Sequence, residues 1–531
     1  MGLDKNHTLA HIIDHSANKH PEKEAFRCNG EGITYAELVK KSNALAHTLQ
    51  NQGVKRWDRV GVYLDGSLES AIAVYGIWKA GAAFVPLDPQ APISRLCFII
   101  KDCGIQVLIT EDSKQERVAQ LVTETNLFCA IGLSASNEFK VRTESWSDVE
   151  TAPKEFPPVV QLMEQDLAYI MYTSGSTGEP KGLMHTHYSG LSYAKLSVAT
   201  YEVKHEDIIG NSAPLHFDIS TFGYFSGPLA GATTVIIPEV FTKFPANLAQ
   251  LIDDERMTIW YSVPFILIQL LLRGVLSERD LSSLRWVLFG GEPFAAKQLR
   301  ALMQLLPQSR FSNVYGPAEV NQCTYYHLPE LPDETDDYIP LGKIWDNTEG
   351  IVLDENNELA FLGELLIRSP TMMRGYWNRP ELDKKAFYYR SSFPEQDDNQ
   401  TNHFDRFYRT GDLVKVDENG QYQFIGRKDH QVKIRGFRVE LGEIEVALLS
   451  HSQVAEAGVC IRAVLEDSEQ IDAAVTLKSG SGLTVPMLLE HIKSSLPWYA
   501  VPKQIFFIDD FPRTSSGKID RRRLMELLEE R

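Results

Sequence analysis

An apolar stretch that runs into a loop rich in glycine and hydroxyl groups is the feature that most limits what this chain can form. Residues 167–172 read Leu-Ala-Tyr-Ile-Met-Tyr, which has the length and composition of a buried strand. Residues 173–182 follow with Ser and Thr hydroxyls, three glycines and Lys181. Glycines let a backbone curl around an anion, and N–H groups and hydroxyls then solvate phosphate oxygens. The pattern predicts a phosphate-binding loop, although its spacing is not that of a Walker loop.

Short apolar runs alternate with helical stretches along most of the chain. One example is the strand-like run 60–64, followed by a helical stretch from Leu68 to Lys79. Thr34 and Glu37 have the spacing of a capping box at the start of a helix over about 33–52. Such alternation indicates α/β layering. The chain has 531 residues, too many for one hydrophobic core, so at least two domains are expected.

The predicted fold class is α/β, with a large multi-subdomain N-terminal domain and a small α+β C-terminal domain. The boundary is placed near Asp429, which gives domains of residues 1–428 and 429–531. The roughly 100 residues after the boundary alternate between strand and helix character, which is enough for a small domain.

The composition argues against several classes of protein. The chain carries 71 acidic and 53 basic residues, a net charge of −18, so neither nucleic acid nor an anionic membrane is an expected partner. No signal peptide and no run of 18 apolar residues is found. Six scattered cysteines without a C-x-x-C pair predict neither a zinc site nor a disulfide scaffold. The expectation is a cytoplasmic protein with reduced thiols.

Five motifs occur in a fixed order: the loop above, then 313–319 (Asn-Val-Tyr-Gly-Pro-Ala-Glu), 408–413 (Tyr-Arg-Thr-Gly-Asp-Leu), 426–440 (Gly-Arg-Lys through Phe-Arg-Val-Glu) and 512–518 (Pro-Arg-Thr-Ser-Ser-Gly-Lys). In this order they resemble the adenylate-forming enzymes, which include acyl-CoA synthetases, luciferases and the adenylation domains of nonribosomal peptide synthetases. The sequence of the fourth motif resembles that of the amino-acid-activating members of this family. The resemblance covers nearly the whole chain, and the absence of carrier and condensation segments suggests a freestanding enzyme.

The resemblance implies a two-step reaction that uses ATP and Mg²⁺. A carboxylate first attacks the α-phosphate of ATP, and the thiol of a phosphopantetheine arm on a separate carrier protein then attacks the acyl-adenylate. Lys518 is the implied catalytic lysine of the first step, and Glu319 the implied Mg²⁺ ligand and second catalytic residue. Asp429 is the implied hinge of a mobile C-terminal lid. Lys433 and Gly436 are expected on the face of the lid that meets the active site in the second step.

The resemblance also assigns the nucleotide site. Asp412 is expected to bind both ribose hydroxyls, since one carboxylate can accept from two donors, and Arg427 to contact ribose or phosphate. Tyr315 is expected to stack on adenine. The full set of predicted ATP-binding residues is Thr173, Ser174, Gly175, Ser176, Thr177, Gly178, Lys181, Gly290, Gly291, Glu292, Asn313, Tyr315, Gly316, Asp412 and Arg427.

Asp218 identifies the kind of acid that is activated. It takes the position of the family aspartate that pairs with a substrate ammonium, and an aryl or fatty acid has no ammonium. The other predicted pocket residues are mostly apolar and suit a small amino acid: Ile219, Phe222, Phe265, Leu288, Gly290, Val314, Gln322 and Cys323. Proline is favoured because the pocket resembles that of freestanding prolyl-carrier-protein ligases, and valine, alanine and other small amino acids are the remaining candidates. Gln322 fits proline less well and could instead read a polar side chain.

Three alternatives remain open at this point. An acyl- or aryl-CoA ligase would have the same fold, but Asp218 argues against it. A nonenzymatic ATP-binding protein is disfavoured because Lys518, Glu319 and Asp412 are all present. A luciferase-like oxygenase would need a pocket for a large heteroaromatic acid.

Overall fold

The computed structural model describes residues 7–134, 141–156, 158, 160–175, 178–333, 339–391, 404–428, 431–465, 468–478, 480–513 and 519–529. Within them the strands, in chain order, are β1 Glu24–Cys28, β2 Glu31–Thr34, β3 Arg59–Val62, β4 Ala83–Pro86, β5 Val107–Ile109, β6 Cys129–Ile131, β7 Arg142–Glu144, β8 Leu167–Thr173, β9 Lys181–Thr186, β10 Ile208–Asn211, β11 Thr233–Ile236, β12 Ile259–Ser262, β13 Trp286–Gly290, β14 Arg310–Tyr315, β15 Thr324–His327, β16 Lys343–Ile344, β17 Glu349–Leu353, β18 Leu362–Arg368, β19 Gly375–Tyr376, β20 Phe387–Ser391, β21 Phe404–Val416, β22 Tyr422–Arg427, β23 Gln431–Ile434, β24 Phe437–Glu440, β25 Val454–Leu465, β26 Ser468–Leu477 and β27 Gln504–Phe507.

The α-helices are α1 Ile12–Lys19, α2 Tyr35–Asn51, α3 Leu68–Ala80, α4 Ile93–Cys103, α5 Gln115–Glu124, α6 Trp146–Val149, α7 His187–Thr200, α8 Gly227–Ala230, α9 Glu239–Thr242, α10 Pro245–Asp254, α11 Pro264–Arg273, α12 Ala296–Leu305, α13 Pro380–Ala386, α14 Leu441–Leu449, α15 Val485–Lys493 and α16 Arg521–Glu529. The predicted capping box starts α2, where the Thr34 hydroxyl accepts from the Glu37 N–H and the Glu37 carboxylate accepts from the Thr34 N–H.

Two large sheets form the N-terminal part. One has eight strands in the order β19-β9-β8-β4-β3-β5-β6-β7, and the other has nine in the order β16-β15-β14-β13-β12-β10-β11-β1-β2. Most neighbours in their centres run parallel, with α2, α3, α10, α11 and α12 among the helices that connect them. Such strands are covered on both faces, which explains their continuous apolar sequences.

The central strands of the nine-stranded sheet position the candidate site. Strands β12, β13 and β14 lie parallel and side by side, so their carboxyl ends meet at one edge. Loops at such an edge commonly bind ligands in open α/β sheets. One face of these strands supplies Tyr261, Leu288 and Val314 to a single apolar cluster.

The remaining strands form three smaller sheets. Strands β17, β18, β20, β21 and β22 make an antiparallel sheet that carries the 408–413 motif. The C-terminal part consists of the hairpin β23–β24 and a three-stranded sheet, β25-β26-β27, packed with α14 and α15 around its own core. A large N-terminal α/β part and a smaller α+β part are the predicted fold class, which is therefore confirmed.

Two further expectations concern cysteines and membranes. All six cysteines are buried free thiols. Burial raises the pKa of each, to about 11 for Cys28 and about 12 for Cys129, for example. Among the helices in the described ranges, none combines the length and the apolar character needed to cross a bilayer.

Candidate active site

The predicted phosphate-binding loop connects two strands of the eight-stranded sheet. Strands β8 and β9 are antiparallel, with Thr173 opposite Lys181, so the loop emerges directly from a buried strand as predicted. Gly178 has a φ of 86°, which favours glycine. The Thr173 hydroxyl is buried and has no hydrogen-bond partner among the described residues. A phosphate oxygen would satisfy it.

Glu319 lies at the centre of the charged end of the site and is fully buried. Its carboxylate accepts hydrogen bonds from Arg438 Nη1 at 2.8 Å and from the Tyr376 hydroxyl at 2.9 Å, and Lys181 Nζ lies 3.8 Å away. Burial by itself would raise the pKa of Glu319, but the charges of Arg438 and Lys181 hold the pKa well below its ordinary value. The carboxylate is therefore ionised at neutral pH.

An ionised carboxylate beside a phosphate loop fits a bound Mg²⁺. No group of three or more His, Cys, Asp or Glu side chains gathers as a metal site in the described part of the chain. Glu319 would therefore be the main protein ligand, and most of the other ligands would be phosphate oxygens and water.

Asp412 and two partners form the predicted ribose site. The Tyr315 hydroxyl donates to Asp412 Oδ2 at 2.5 Å, and Arg427 Nη1 donates to Asp412 Oδ1 at 2.5 Å. Asp412 comes from β21, Arg427 from β22 directly opposite, and Tyr315 from the end of β14. The structure thus brings together three residues that are separated by up to 112 positions.

The turn after β13 lies next to this group. Gly290 leaves no space for a side chain, since a Cβ there would collide with the Val314 carbonyl oxygen, and Gly291 has a φ of 94°. Glu292 accepts from the Phe265 N–H at 2.8 Å and from the Gly436 N–H at 2.9 Å. Its carboxylate therefore links the turn to α11 and to the C-terminal hairpin.

Asp218 is partly exposed. Its Oδ1 accepts from the Ile219 N–H at 2.9 Å, and none of the described residues forms an ion pair with it. An N-cap residue accepts from the N–H two or three positions on, so Asp218 does not cap a helix in that way. Burial raises the pKa of Asp218, and the charge of Lys433 opposes that shift.

Four predicted pocket residues pack together behind Asp218. Ile219, Phe222, Leu288 and Val314 share one apolar cluster, and the last three are almost fully buried. The Phe222 ring contacts Tyr201 and Tyr261 edge-on, at centroid distances of 6.0 and 5.7 Å. These contacts make the surface behind Asp218 apolar and closely packed.

The other predicted pocket residues are placed differently. Phe265 is partly exposed, and the guanidinium of Arg435 lies 5.9 Å from its ring centre, so Phe265 faces the C-terminal hairpin. Cys323 packs in a neighbouring cluster with Tyr315. Gln322 is 1% exposed, and its Nε2 donates to the Tyr201 hydroxyl at 2.6 Å.

The β23–β24 hairpin of the C-terminal part enters the active site. Its turn contains Arg435 and Gly436, with φ values of 54° and 82°, and a Cβ on Gly436 would lie 2.5 Å from Val263. Lys433 is close enough to Asp412 and Asp218 for their charges to oppose the lowering of its pKa by burial. The structure therefore places Lys433 and Gly436 at the active site, where the sequence expects them for the second step.

A buried ion pair fixes the C-terminal part in this position. Arg95 Nη1 of α4 lies 2.6 Å from Glu443 Oε1 of α14, and the two side chains are 9% and 3% exposed. Phe437 adds an edge-on contact with Phe217, and Ser174 Oγ of the phosphate loop donates to the Arg438 carbonyl oxygen at 2.9 Å.

Four predicted site residues lie outside the described residues: Ser176, Thr177, Asp429 and Lys518. Their assignments remain predictions. Arg513, the second residue of the last motif, and Ile519, which directly follows the motif, form an isolated β-bridge.

Residues 13–377 match the AMP-binding enzyme family, and residues 443–518 match its C-terminal domain. The chain belongs to the AMP-binding enzyme family. The predicted family resemblance is thereby confirmed.

Relatives within the AMP-binding family include both short and very long proteins. An L-proline–[L-prolyl-carrier protein] ligase of Streptomyces coelicolor is 33% identical over 95% of this chain and 94% of its own length. Bacitracin synthase 1 of Bacillus licheniformis is 33% identical over 98% of this chain. The chain spans only 9% of that synthase, and between 6% and 14% of the other long synthases of this kind.

Solved structures of the AMP-binding family show the same fold. The Vibrio cholerae adenylation domain AlmE in complex with glycyl-adenosine-5′-phosphate matches with a TM-score of 0.83 at 25% identity, over 100% of this chain and 99% of that one. The amide bond synthetase McbA of Marinactinospora thermotolerans matches with a TM-score of 0.85 at 22% identity, over 98% and 99% of the two chains.

Several residues of the candidate active site were not predicted from the sequence. Arg438 lies within a quoted motif, yet nothing in its spacing indicates a partner 119 positions away. Tyr376 and Tyr201 belong to none of the five sequence motifs. Arg95 and Glu443 are single charged residues in amphipathic helices, a pattern that is usually solvated. Only the packing of the chain reveals these contacts.

Proposed function

We propose that the protein activates a small amino acid with ATP and transfers it to the phosphopantetheine thiol of a separate carrier protein, with proline as the first candidate. Asp218 carries this proposal. Asp218 is partly buried, its pKa is raised by that burial, and it has no ion-pair partner among the described residues. A carboxylate in such a position is costly unless a cation pairs with it, and a substrate ammonium would supply that cation. The similarity to a prolyl-carrier-protein ligase extends over almost the whole length of that relative. It supports an amino acid as the substrate and a carrier protein as the acceptor.

In the first step, a substrate carboxylate oxygen attacks the α-phosphorus of ATP, and the bond to pyrophosphate breaks. Asp218 holds the ammonium and thereby orients the carboxylate, while Asp412 accepts from the ribose hydroxyls. Thr173 and the loop N–H groups bind phosphate oxygens. Bound Mg²⁺ would neutralise charge on the phosphates, with Glu319 holding it. Lys518 is the proposed cation between the substrate carboxylate and the α-phosphate.

In the second step, the carrier thiol attacks the carbonyl carbon of the adenylate and AMP leaves. The orientation of the hairpin supports a role for the C-terminal part here, because Lys433, Gly436 and Arg438 all lie at the site. Arg438 forms an ion pair with the proposed Mg²⁺ ligand Glu319 in this orientation. The hairpin must therefore withdraw before MgATP can bind, and Asp429 is the proposed hinge.

The test is amino-acid-dependent exchange of labelled pyrophosphate into ATP. Each of the twenty amino acids is compared with a panel of aryl and fatty acids, and the best substrate is then offered with a carrier protein. The matched control is the same carrier without its phosphopantetheine arm. The expected result is exchange with one or a few small amino acids, and loading of the modified carrier alone.

Two results would contradict the proposal. Exchange with aryl or fatty acids but with no amino acid would make the protein an acyl- or aryl-CoA ligase. Exchange with no acid at all would favour a nonenzymatic ATP-binding protein.

A further inference from the structure

Asp102, near the C-terminal end of α4, and Arg379, which directly precedes α13, form an ion pair beside the phosphate-binding loop. Arg379 Nη1 lies 3.2 Å from Asp102 Oδ1, and the two side chains are 24% and 12% exposed. Partly buried charges are screened by water and salt less than exposed ones, so the pair can fix the positions of the segments that it joins. Neither residue belongs to the five sequence motifs.

The ion pair contacts the chain on both sides of the phosphate-binding loop. Near the end of β8, the Tyr172 hydroxyl donates to Asp102 Oδ2 at 2.5 Å. Before β9 begins, Glu179 Oε2 accepts from Arg379 Nη2 at 3.4 Å. Glu179 is 62% exposed, so the contact of Tyr172 is expected to contribute more than that of Glu179. One carboxylate and one guanidinium thus hold both ends of the loop.

The backbone that carries Arg379 is attached to the same end of α4. The last carbonyl groups of a helix have no partner within the helix. The Asp102 carbonyl instead accepts from Trp377 Nε1 at 2.9 Å and from Asn378 Nδ2 at 3.1 Å. The Trp377 N–H donates to the Gly182 carbonyl of β9 at 2.8 Å. Arg379 is therefore placed by a helix end and by the strand that follows the loop.

The two residues expected to meet phosphate lie directly beside these contacts. Thr173 follows Tyr172, and its buried hydroxyl lacks a hydrogen-bond partner in the described part of the chain. Lys181 lies two positions after Glu179, and its Nζ is 3.8 Å from the carboxylate of Glu319. A shift at either end of the loop would move one of these two groups.

We propose that Asp102 and Arg379 are positioning residues that hold the two ends of the phosphate-binding loop, so that Thr173 and Lys181 meet the phosphates of ATP. This inference rests on the proposed function. Groups that bind phosphate act best when they are fixed before the nucleotide arrives. Loss of the ion pair should therefore weaken the binding of MgATP and leave the binding of the amino acid almost unchanged.

The first experiment measures the Kd of MgATP by calorimetry for Arg379→Ala, without any acid substrate. We expect Kd to rise by about tenfold, because the loop is no longer held in its binding position. In pyrophosphate exchange, KM for MgATP should rise in parallel, whereas KM for the amino acid should change by less than about twofold. Arg379→Lys should recover part of the loss, because one ammonium can reach Asp102 but does not reproduce the fork of a guanidinium.

Arg56→Ala is the matched control. Arg56 pairs with Asp166 at 2.8 Å, and the two side chains are 30% and 8% exposed. Asp166 directly precedes β8, whose seven residues separate it from the loop by about 20 Å. Thermal unfolding should show similar losses of stability for Arg56→Ala and Arg379→Ala, because each removes a partly buried ion pair. The Kd of MgATP should rise in Arg379→Ala alone.

Tyr172→Phe removes only one hydroxyl and provides a second test if Arg379→Ala does not fold. Its Kd for MgATP should rise by about threefold, because the contact of Asp102 with the end of β8 is lost. A Kd that stays at the native value in the folded variants, or that rises equally in Arg56→Ala, would overturn the role of the ion pair. Exchange with no acid at all, together with a Kd that rises in Arg379→Ala alone, would overturn the proposed function and still support this inference.

Discussion

The two ends of the active site are built from different parts of the chain. The amino-acid end takes its apolar cluster and the Asp218 carboxylate from the N-terminal part, and the charge of Lys433 from the C-terminal hairpin acts on that carboxylate. The nucleotide end is rich in charge, and the C-terminal hairpin adds Lys433 and Arg438 to it. From this difference we expect the choice of acid to depend mainly on the larger part, and the step that can be catalysed to depend on the position of the smaller part.

The largest effect on the amino-acid end is expected when the Asp218 carboxylate is removed. Asp218→Ala should lower kcat/KM for the amino acid in pyrophosphate exchange by about 10²–10³-fold, since it leaves a substrate ammonium unpaired in a poorly solvated site. Affinity for MgATP, measured by calorimetry, should change little because the nucleotide end is intact. Unaltered turnover of the amino acid would show that Asp218 does not bind the ammonium.

At the nucleotide end, Arg438→Ala should have opposite effects on the two steps. Carrier loading should fall by about 10–100-fold, because the docked hairpin loses its ion pair with the buried Glu319. Pyrophosphate exchange should be retained or faster, because the same loss frees Glu319 for Mg²⁺. Arg438→Lys should restore part of the loading. Arg256→Ala, which removes an exposed ion pair with Asp280, is the control. Equal losses in both steps would refute the assignment.

A smaller effect is expected at the ion pair that docks the C-terminal part. Arg95→Ala and Glu443→Ala should each reduce carrier loading by about tenfold. Each substitution leaves the partner's charge buried and unpaired when the C-terminal part is docked, and so destabilises the docked state relative to the undocked one. The double variant Arg95→Ala, Glu443→Ala should lose little more than either single variant, because removing both partners leaves no buried charge unpaired. Loading rates across this double-mutant cycle are the measurement, and additive losses would mean that the pair is not coupled.

The two ends should also respond differently to acid. The pKa of Asp218 is raised above its ordinary value near 3.8, whereas the pKa of Glu319 is lowered. A carboxylate with a raised pKa is protonated first as pH falls, so KM for the amino acid should rise by a few-fold before KM for MgATP does. Steady-state exchange between about pH 8 and pH 5 measures both constants. An earlier rise in the KM for MgATP would contradict the ordering.

Local patterns predicted the parts of the molecule that depend on neighbouring residues. The buried strand before the phosphate loop, the capping box of Thr34 and the α/β layering all follow from periodicity and short-range chemistry. The resemblance to a family then placed Asp412, Glu319 and Asp218 in one region, and the structure agrees with that placement.

The sequence could not predict contacts between distant segments. The Arg95–Glu443 and Arg438–Glu319 ion pairs join residues 348 and 119 positions apart, and they depend on how two separately packed parts meet. Phe265, which is predicted to line the pocket, lies beside the C-terminal hairpin, with the Arg435 guanidinium 5.9 Å from its ring centre, and only the meeting of two distant segments creates that contact. Such arrangements follow from tertiary packing rather than from local pattern.

The buried cysteines have a consequence for an enzyme that is proposed to handle a reactive sulfhydryl. All six thiols lie inside the protein, and the pKa of each is raised, including that of Cys323 beside the active site. Thiol–disulfide exchange needs an accessible thiolate. A carrier arm could therefore visit the catalytic cleft repeatedly without becoming trapped as a mixed disulfide, even in a mildly oxidising environment.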